Sequence, residues 1–315
     1  MPSTPAGCSE QRSVTVTVPA KINLGLSVGA RRPDGFHELR TIFHAVGLHD
    51  TVRASHAADL ELRLSGAEST GLPADERNLA WQAARLIAEH AGRAADVRLD
   101  VDKQIPVAAG LAGGSADAAA TLVACDRLWQ LRLPKTELAG LAGRLGSDVS
   151  FALHGRTALG TGRGEELTGL AAAAELHWVL AIADGGLSTP AVYAEFDRQP
   201  PSRPVDIEPL LAALAAADAD RLAPLLGNDL EPAAIALAPY LRETLAAGRT
   251  AGALAGLVSG SGPTCAFLAA DAGHARLLAT ALQDGRSCRL ALAVPGGVPG
   301  ASVLDQPSDE LTAST

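Results

Sequence analysis

The segment Ile105 to Asp117 (IPVAAGLAGGSAD) gathers the residue types that a phosphate cradle needs. Gly110, Gly113 and Gly114 open backbone conformations closed to other residues and let the main chain approach a ligand closely. Ser115 is placed to cap a following helix, whose first N–H groups favour negative charge. Strand, glycine loop and helix N-terminus in that order form an anion site. The loop is not a Walker A motif, because no Gly-Lys-Ser/Thr follows, and it does not fit G-x-G-x-x-G. By itself it suits phosphate binding and ordinary turn duty equally. A second glycine-serine element, Ser259-Gly260-Ser261-Gly262, lies between the apolar runs LAGLV (254 to 258) and CAFL (265 to 268). Alone it reads as a hairpin turn. Two such loops in one chain favour a polyphosphate.

The elements that must position these loops alternate between β-branched runs and helical patterns. Residues 13 to 18 (SVTVTV) and 22 to 28 (INLGLSV) read as strand, with Pro19-Ala20-Lys21 between them. Proline interrupts ladder hydrogen bonding, which puts Lys21 at a bend or bulge. Residues 51 to 64 read as two short strands, 78 to 90 as a helix, 97 to 105 as a strand and 116 to 131 as a strong helix. Helix over 138 to 145, strands over 149 to 153 and 156 to 159, a glycine loop around 162 to 169 and a buried strand over 178 to 184 follow. Several helices then lead to a strand near 288 to 294. The chain is mixed α and β. A soft boundary falls near 170, giving a leader (1–12), two domains (13–170 and 171–294) and a tail (295–315) rich in Pro, Gly, Ser and acids that is expected to be mobile.

With 315 residues, 47% of them apolar, the chain suits one large or two ordinary globular domains. Its net charge of −9 argues against nucleic acid or an anionic membrane as partner. It does not exclude an anionic small molecule held by a local nest. No apolar run approaches the roughly 18 residues of a membrane span. Cys8, Cys125, Cys265 and Cys288 are scattered and suggest neither a zinc site nor a disulfide framework, so a reducing cytoplasm is the expected setting.

Three separated motifs, PAKINL (19 to 24), IPVAAGLAGGSADAAA (105 to 120) and VSGSGPT (258 to 264), resemble in order and spacing the signatures of the GHMP small-molecule kinases. RRPDGFHELRTIF (31 to 43), LGSDVSFALHG (145 to 155), LSTPAVY (187 to 193) and NDLEP (228 to 232) resemble the branch that acts on a cytidine-diphosphate polyol in non-mevalonate isoprenoid synthesis. The resemblance runs from about residue 13 to 294. Departures are Ala108, Ala109 and Ala112, where relatives often carry glycine, and Pro263-Thr264 in the third motif.

The resemblance implies an α+β, two-domain GHMP kinase fold with its active site in the interdomain cleft. It implies ATP as phosphoryl donor, Mg2+ as its companion and a tertiary hydroxyl of the polyol as acceptor. Lys21 and Asp148 carry over as the catalytic pair; spacing alone identifies neither, and in the bottom-up reading Asp148 follows a helix and precedes an apolar strand. ATP-binding positions are Pro106, Val107, Ala108, Ala109, Gly110, Leu111, Ala112, Gly113, Gly114, Ser115 and Ala116, with Asn78 and Lys103 near the base. Ser115 is the possible Mg2+ contact. Substrate positions are Asn23, Phe36, His37, Thr189, Tyr193, Ser259, Gly260, Ser261 and Gly262, with Phe36 and Tyr193 sandwiching the cytosine and His37 reading its edge. Helix capping suits Asn78 and Thr189 as well, and solvent exposure suits Lys103. A GHMP kinase for mevalonate, homoserine or a sugar, and a non-catalytic nucleotide-binding regulator, are the alternatives; the first has no use for the ring cluster, and retention of Lys21 and Asp148 opposes the second. The sequence leaves monomer and homodimer open.

Overall fold

The computed structural model describes residues 13–171, 175–200, 203–216 and 219–304. The expected leader (1–12), Cys8 and residues 305–315 of the expected tail lie outside them. The two runs that flank Pro19 are one strand, β1 (Ser13–Arg31), paired antiparallel with β2 (His37–His56). The ladder register slips between Pro19 and Ala20, so the proline is absorbed in a bulge and Lys21 lies just beyond it. Sequence reading starts a strand only at residue 51, whereas β2 begins at His37. The reason is burial on both faces: Thr41 to Val46 are all buried, which removes the polar alternation that marks a half-exposed strand.

Next come β3 (Glu61–Ser65), α1 (Leu79–His90), β4 (Val97–Asp102), α2 (Gly113–Leu128), α3 (Lys135–Leu145), α4 (Ser147–His154), β5 (Thr157–Thr161) and β6 (Glu166–Gly169). Residues 149 to 153, expected as a strand, are therefore helical. A short apolar run does not distinguish the two states, and the contacts of α4 with α2 and α3 decide it. Lys135 is an exposed residue at the start of α3. The first sheet runs β12–β1–β2–β4–β3, where β12 is Ser302–Val303; β5 adds to β2, β6 to β5, and β8 (Gly227–Asn228) to β1.

The second sheet has the order β11–β7–β10–β9, all antiparallel, from β7 (His177–Ile182), β9 (Ala255–Val258), β10 (Cys265–Ala269) and β11 (Leu290–Pro295). The change of sheet thus falls between Gly169 and His177. α5 (Thr189–Phe196), α8 (Glu231–Leu237), α9 (Tyr240–Thr250) and α10 (Ala272–Asp284) pack in the core of the second sheet, whereas α6 (Ile207–Ala216) and α7 (Ala219–Leu222) join the core of the first. β7 is buried on both sides. Trp178, Leu180 and Ile182 join the core beneath the first sheet, while Val179 and Ala181 pack with Phe267, Leu241 and Leu278.

The tail departs from expectation. Residues 295 to 304 fold back on the first sheet: Gly297 N–H donates to Ala45 O (2.8 Å), Ala301 N–H to Ala152 O (2.9 Å) and Leu304 N–H to Thr15 O (2.8 Å). Its glycines serve close approach. A Cβ on Gly300 would stand 2.5 Å from Leu153 O and 2.7 Å from Ala152 O.

Candidate active site

Lys21 leaves the bulge of β1 with its side chain buried, and its Nζ donates to Asn23 Oδ1 at 2.9 Å. Asn23 Nδ2 in turn donates to Thr41 Oγ1 (2.8 Å), and that hydroxyl donates to Gly25 O (2.8 Å). The chain of bonds fixes the ammonium 4.0 Å from Asp148 Oδ2. Asp148 is not in a loop before a strand, as expected; it lies in the first turn of α4. Its side chain is 34% exposed, open to a ligand.

The glycine loop does not follow the expected capping scheme. Ser115 is the third residue of α2; the cap position belongs to Ala112, in a left-handed conformation (φ 60°) with no side-chain cap bond. Ala108 is left-handed too (φ 51°). At both positions this chain has alanine where the backbone favours glycine. The loop is tied to β1 by Lys21 N–H donating to Leu111 O (3.2 Å) and to the α5 approach by Leu187 N–H donating to Ala108 O (3.1 Å).

The serine-glycine element is the β9–β10 hairpin turn, and it is also a brace. Ser259 Oγ donates to Gly110 O at 3.0 Å, and Thr264 N–H to Ala109 O at 3.3 Å. Gly260 (φ +54°) passes beneath Lys21, since a Cβ there would lie 3.2 Å from its Nζ. Asn228 holds the turn from the other side, donating to Val258 O (2.8 Å) and Gly260 O (2.7 Å). Thr189 is the first residue of α5, after Ser188 at the cap position; its hydroxyl bonds Ser261 Oγ at 2.9 Å.

Lys103 neither contacts the cleft nor faces solvent. Its Nζ is buried between Asp50 Oδ2 and Asp117 Oδ2 (2.7 Å to the latter) and reaches Gly113 O at 3.3 Å. Burial opposes its charge, but Asp117 and Asp50 outweigh that and raise the ammonium above its ordinary value. Burial also pushes the Asp117 carboxyl well up, helped by repulsion from Asp50 and opposed by the attraction of Lys103. Asp50 Oδ1 accepts from Gln104 N–H (2.6 Å) and Ile105 N–H (2.8 Å), so this cluster anchors the strand end and helix start that carry the loop.

At the other end of the cleft His37 is buried, its ring stacked on Tyr193 (centroids 5.2 Å, 26° between planes) and edge-on to Phe196. His37 Nε2 lies 2.8 Å from Asp197 Oδ1. Phe36 is 54% exposed on the β1–β2 hairpin. The expected open slot between Phe36 and Tyr193 is thus altered, because His37 already covers one face of Tyr193. Burial pushes the Tyr193 hydroxyl up, and the nearby charge of Asp148 adds to this.

One cavity of about 670 Å³ is lined by Lys21, Asn23, Phe36, His37, Asp148, Thr189, Tyr193, Gly260 and Ser261, together with Ala108, Ala109, Gly110, Ala112, Gly113, Gly114 and Ser115. Among the other predicted positions, Leu111 and Ala116 are buried in the core, and Pro106, Val107, Ser259 and Gly262 do not line the cavity. Asn78 caps α1 by accepting from Ala80 N–H (2.9 Å), and its neighbour Leu79 lines the cavity instead. Lining residues that sequence reading missed include Arg31, Thr41, Ser147, Arg163 and Asp197. Single polar or charged residues far apart in the chain carried no local signal for them. Among the described residues no cluster of three or more His, Cys, Asp or Glu side chains is placed to hold a metal, and no helix is long and apolar enough to cross a membrane.

A two-sheet α+β fold with a glycine-loop helix N-terminus facing a lysine-aspartate pair defines a GHMP small-molecule kinase. The family models for the N-terminal and C-terminal domains of GHMP kinases match residues 78–156 and 210–286. The chain is 57% identical over 301 residues to the 4-diphosphocytidyl-2-C-methyl-D-erythritol kinase of Mycobacterium tuberculosis, covering 94% of this chain and 95% of that one. Identity to the enzyme of the same name from Mycolicibacterium gilvum is also 57%, over 94% of both chains. A crystal structure of a 4-(cytidine 5'-diphospho)-2C-methyl-D-erythritol kinase superposes with TM-score 0.73 at 37% identity, covering 90% of this chain and 99% of that one. Homoserine kinase from Cytophaga hutchinsonii shares the fold alone (TM-score 0.75, 19% identity, 96% and 100% covered). The chain belongs to the family of 4-diphosphocytidyl-2-C-methyl-D-erythritol kinases.

Proposed function

We infer that the enzyme transfers the γ-phosphoryl group of ATP to the 2-hydroxyl of 4-diphosphocytidyl-2-C-methyl-D-erythritol, releasing ADP and the 2-phosphate. The observation that carries this reading is the single cavity joining three features: the glycine loop, Lys21 with Asp148, and the ring cluster of Phe36, His37 and Tyr193. Phosphoryl transfer needs alignment and charge neutralisation more than covalent chemistry. The glycine loop and the first N–H groups of α2 cradle the ATP phosphates. Asp148 receives the hydroxyl proton as the oxygen attacks phosphorus. Lys21, held by Asn23, orients that carboxylate and stabilises charge on the phosphoryl oxygens.

Cytosine is held at the ring cluster. A carboxylate only accepts, so His37 Nε2 carries the proton shared with Asp197, and Nδ1 is the ring nitrogen left for the base. In the Nε2–H tautomer, Nδ1 accepts from the exocyclic amine of cytosine. Magnesium fits the same cavity, because Ser115 and Asp148 offer oxygen donors among the lining residues. When bound with ATP it neutralises phosphate charge.

Residues 13–170 form the N-terminal, ATP-binding domain in this reading and 171–294 the C-terminal domain, a division supported by the change of sheet between Gly169 and His177. The enzyme acts in the cytoplasm on small molecules, without nucleic acid or membrane partners, as a monomer or homodimer. The net charge of −9 supports the choice of small molecules over larger polyanions. The test is ADP release with ATP, Mg2+ and the cytidyl substrate, beside mevalonate, homoserine and galactose. Turnover with the cytidyl compound is expected; turnover only with another acceptor refutes the assignment.

A further inference from the structure

Among the described cavity-lining residues, three carry permanent cations: Lys21, Arg31 and Arg163. Lys21 is committed to Asn23 and Asp148, and Arg31 Nε donates to Gly35 O at 3.2 Å. Arg163 has no part in the chemistry derived above. It stands between Gly162 (φ +70°) and Gly164 (φ +98°), a turn whose left-handed residues aim the arginine inward. Gly164 has little room to move, as a Cβ there would meet Phe43 Cζ at 3.3 Å. Gly162 O accepts from Leu39 N–H (2.7 Å), which ties the turn to β2 two residues beyond His37.

The side chain is held on one side only. Arg163 N–H donates to Glu165 Oε2 at 2.6 Å, and Nε reaches Glu165 Oε1 at 3.4 Å. Burial pushes the Glu165 carboxyl up, but the backbone N–H groups of Glu165 and Arg163 and the guanidinium together hold it below its usual range. The two terminal nitrogens of Arg163 make no hydrogen bond among the described residues. The guanidinium carbon lies 5.0 Å from the centre of the Phe36 ring. Phe36 is exposed on its hairpin and belongs to none of the apolar clusters among the described residues.

We propose that Arg163 is a specificity-determining residue for the cytidyl substrate. Its guanidinium braces Phe36 as a stacking wall and presents its terminal N–H groups to the substrate's diphosphate. A planar guanidinium stacks on a ring face while donating from its edge, which a lysine ammonium does not do. Charge-assisted hydrogen bonds to phosphate oxygens are among the stronger polar contacts. The proposal rests on the assignment of Phe36 to the cytosine site.

Steady-state kinetics with each substrate varied in turn test it, using Arg163→Met, Arg163→Lys and Phe36→Ala. Methionine keeps an apolar cover over Phe36 and removes the charge. Arg163→Met is expected to raise KM for the cytidyl substrate about tenfold, with KM for ATP changed less than about twofold. Arg163→Lys should recover part of the loss. Added salt should lower kcat/KM for the cytidyl substrate less in Arg163→Met than in the parent enzyme, because screening acts on the charge that has been removed. An unchanged KM for the cytidyl substrate in Arg163→Met, or an equal rise in both KM values, overturns the proposal. Phe36→Ala separates the two readings: if it raises that KM while Arg163→Met does not, only the role of Arg163 fails. If it leaves KM unchanged, the cytosine site itself is misplaced and the brace falls with it.

Discussion

Ser259 and Gly110 meet at close range: Ser259 Oγ donates to Gly110 O at 3.0 Å, and a Cβ on Gly110 would stand 2.0 Å from Ser259 O. Gly110 also has φ +77°, so a side chain there is strained as well as obstructed. Gly110→Ala is expected to lower stability by about 2 kcal/mol or more and to raise KM for ATP. Thermal unfolding together with ATP kinetics checks this; a variant with parental melting and KM contradicts the tight junction.

The proposed roles of Lys21 and Asp148, 4.0 Å apart, lie in the transfer step more than in the binding of ATP. Asp148→Asn and Lys21→Ala should each reduce kcat by about 100-fold or more. ATP affinity, measured by equilibrium titration, should change far less. Near-normal turnover in either variant refutes that residue's role.

The buried cluster of Lys103, Asp50 and Asp117 gives the enzyme a specific pH signature. Lys103→Met leaves two carboxylates buried without their cation and should cost about 3–5 kcal/mol of stability. The raised Lys103 value means that its contribution is complete below its ordinary 10.5 and is lost as pH climbs through the raised value. The Asp117 carboxyl is also raised, from 3.8, so the native state keeps a proton that the unfolded chain has released. Its contribution declines as pH rises from about 4 through the raised value. Asp117→Asn removes that slope. Denaturant unfolding between pH 4 and 8 should show the stability of the variant, relative to the parent enzyme, increasing with pH.

Ala112, left-handed at φ 60° at the start of α2, occupies a conformation that glycine adopts freely. Ala112→Gly should stabilise the protein by up to about 1 kcal/mol, the relief of strain being partly offset by the greater freedom of glycine in the unfolded chain. Calorimetry of the two proteins decides the sign.

Asp197, 2.8 Å from His37 Nε2, engages that nitrogen and leaves Nδ1 for the base in the proposed cytosine site. Asp197→Ala should raise KM for the cytidyl substrate about tenfold, with ATP kinetics little changed. Parallel changes in both KM values would mean that the residue supports the whole cleft.

The local chemistry of the cleft was legible in the residues themselves. Strand β4, the glycine loop and helix α2 follow from alternation, three glycines and an alanine-rich helical run, all of which act over a few residues. The bulge before Lys21 follows from a proline that lacks an N–H. The proposed catalytic pair came from resemblance, because a lysine and an aspartate so far apart in sequence have no shared pattern.

Tertiary structure decided what those residues touch. Asp148 opens a helix because α4 packs on α2 and α3, a choice that the short run VSFAL leaves open. Lys103, expected beside the nucleotide, is withdrawn into the interior by two carboxylates that arrive from β2 and α2. The glycines of residues 295 to 304 permit close packing rather than motion, since Gly296 lies against His44 and Trp178 and Gly300 against the backbone of α4. Propensity and spacing act along the chain. Partners such as Ser259 with Gly110, 149 residues apart, and His37 with Asp197, 160 apart, are selected only when the two sheets and their helices close around a shared core.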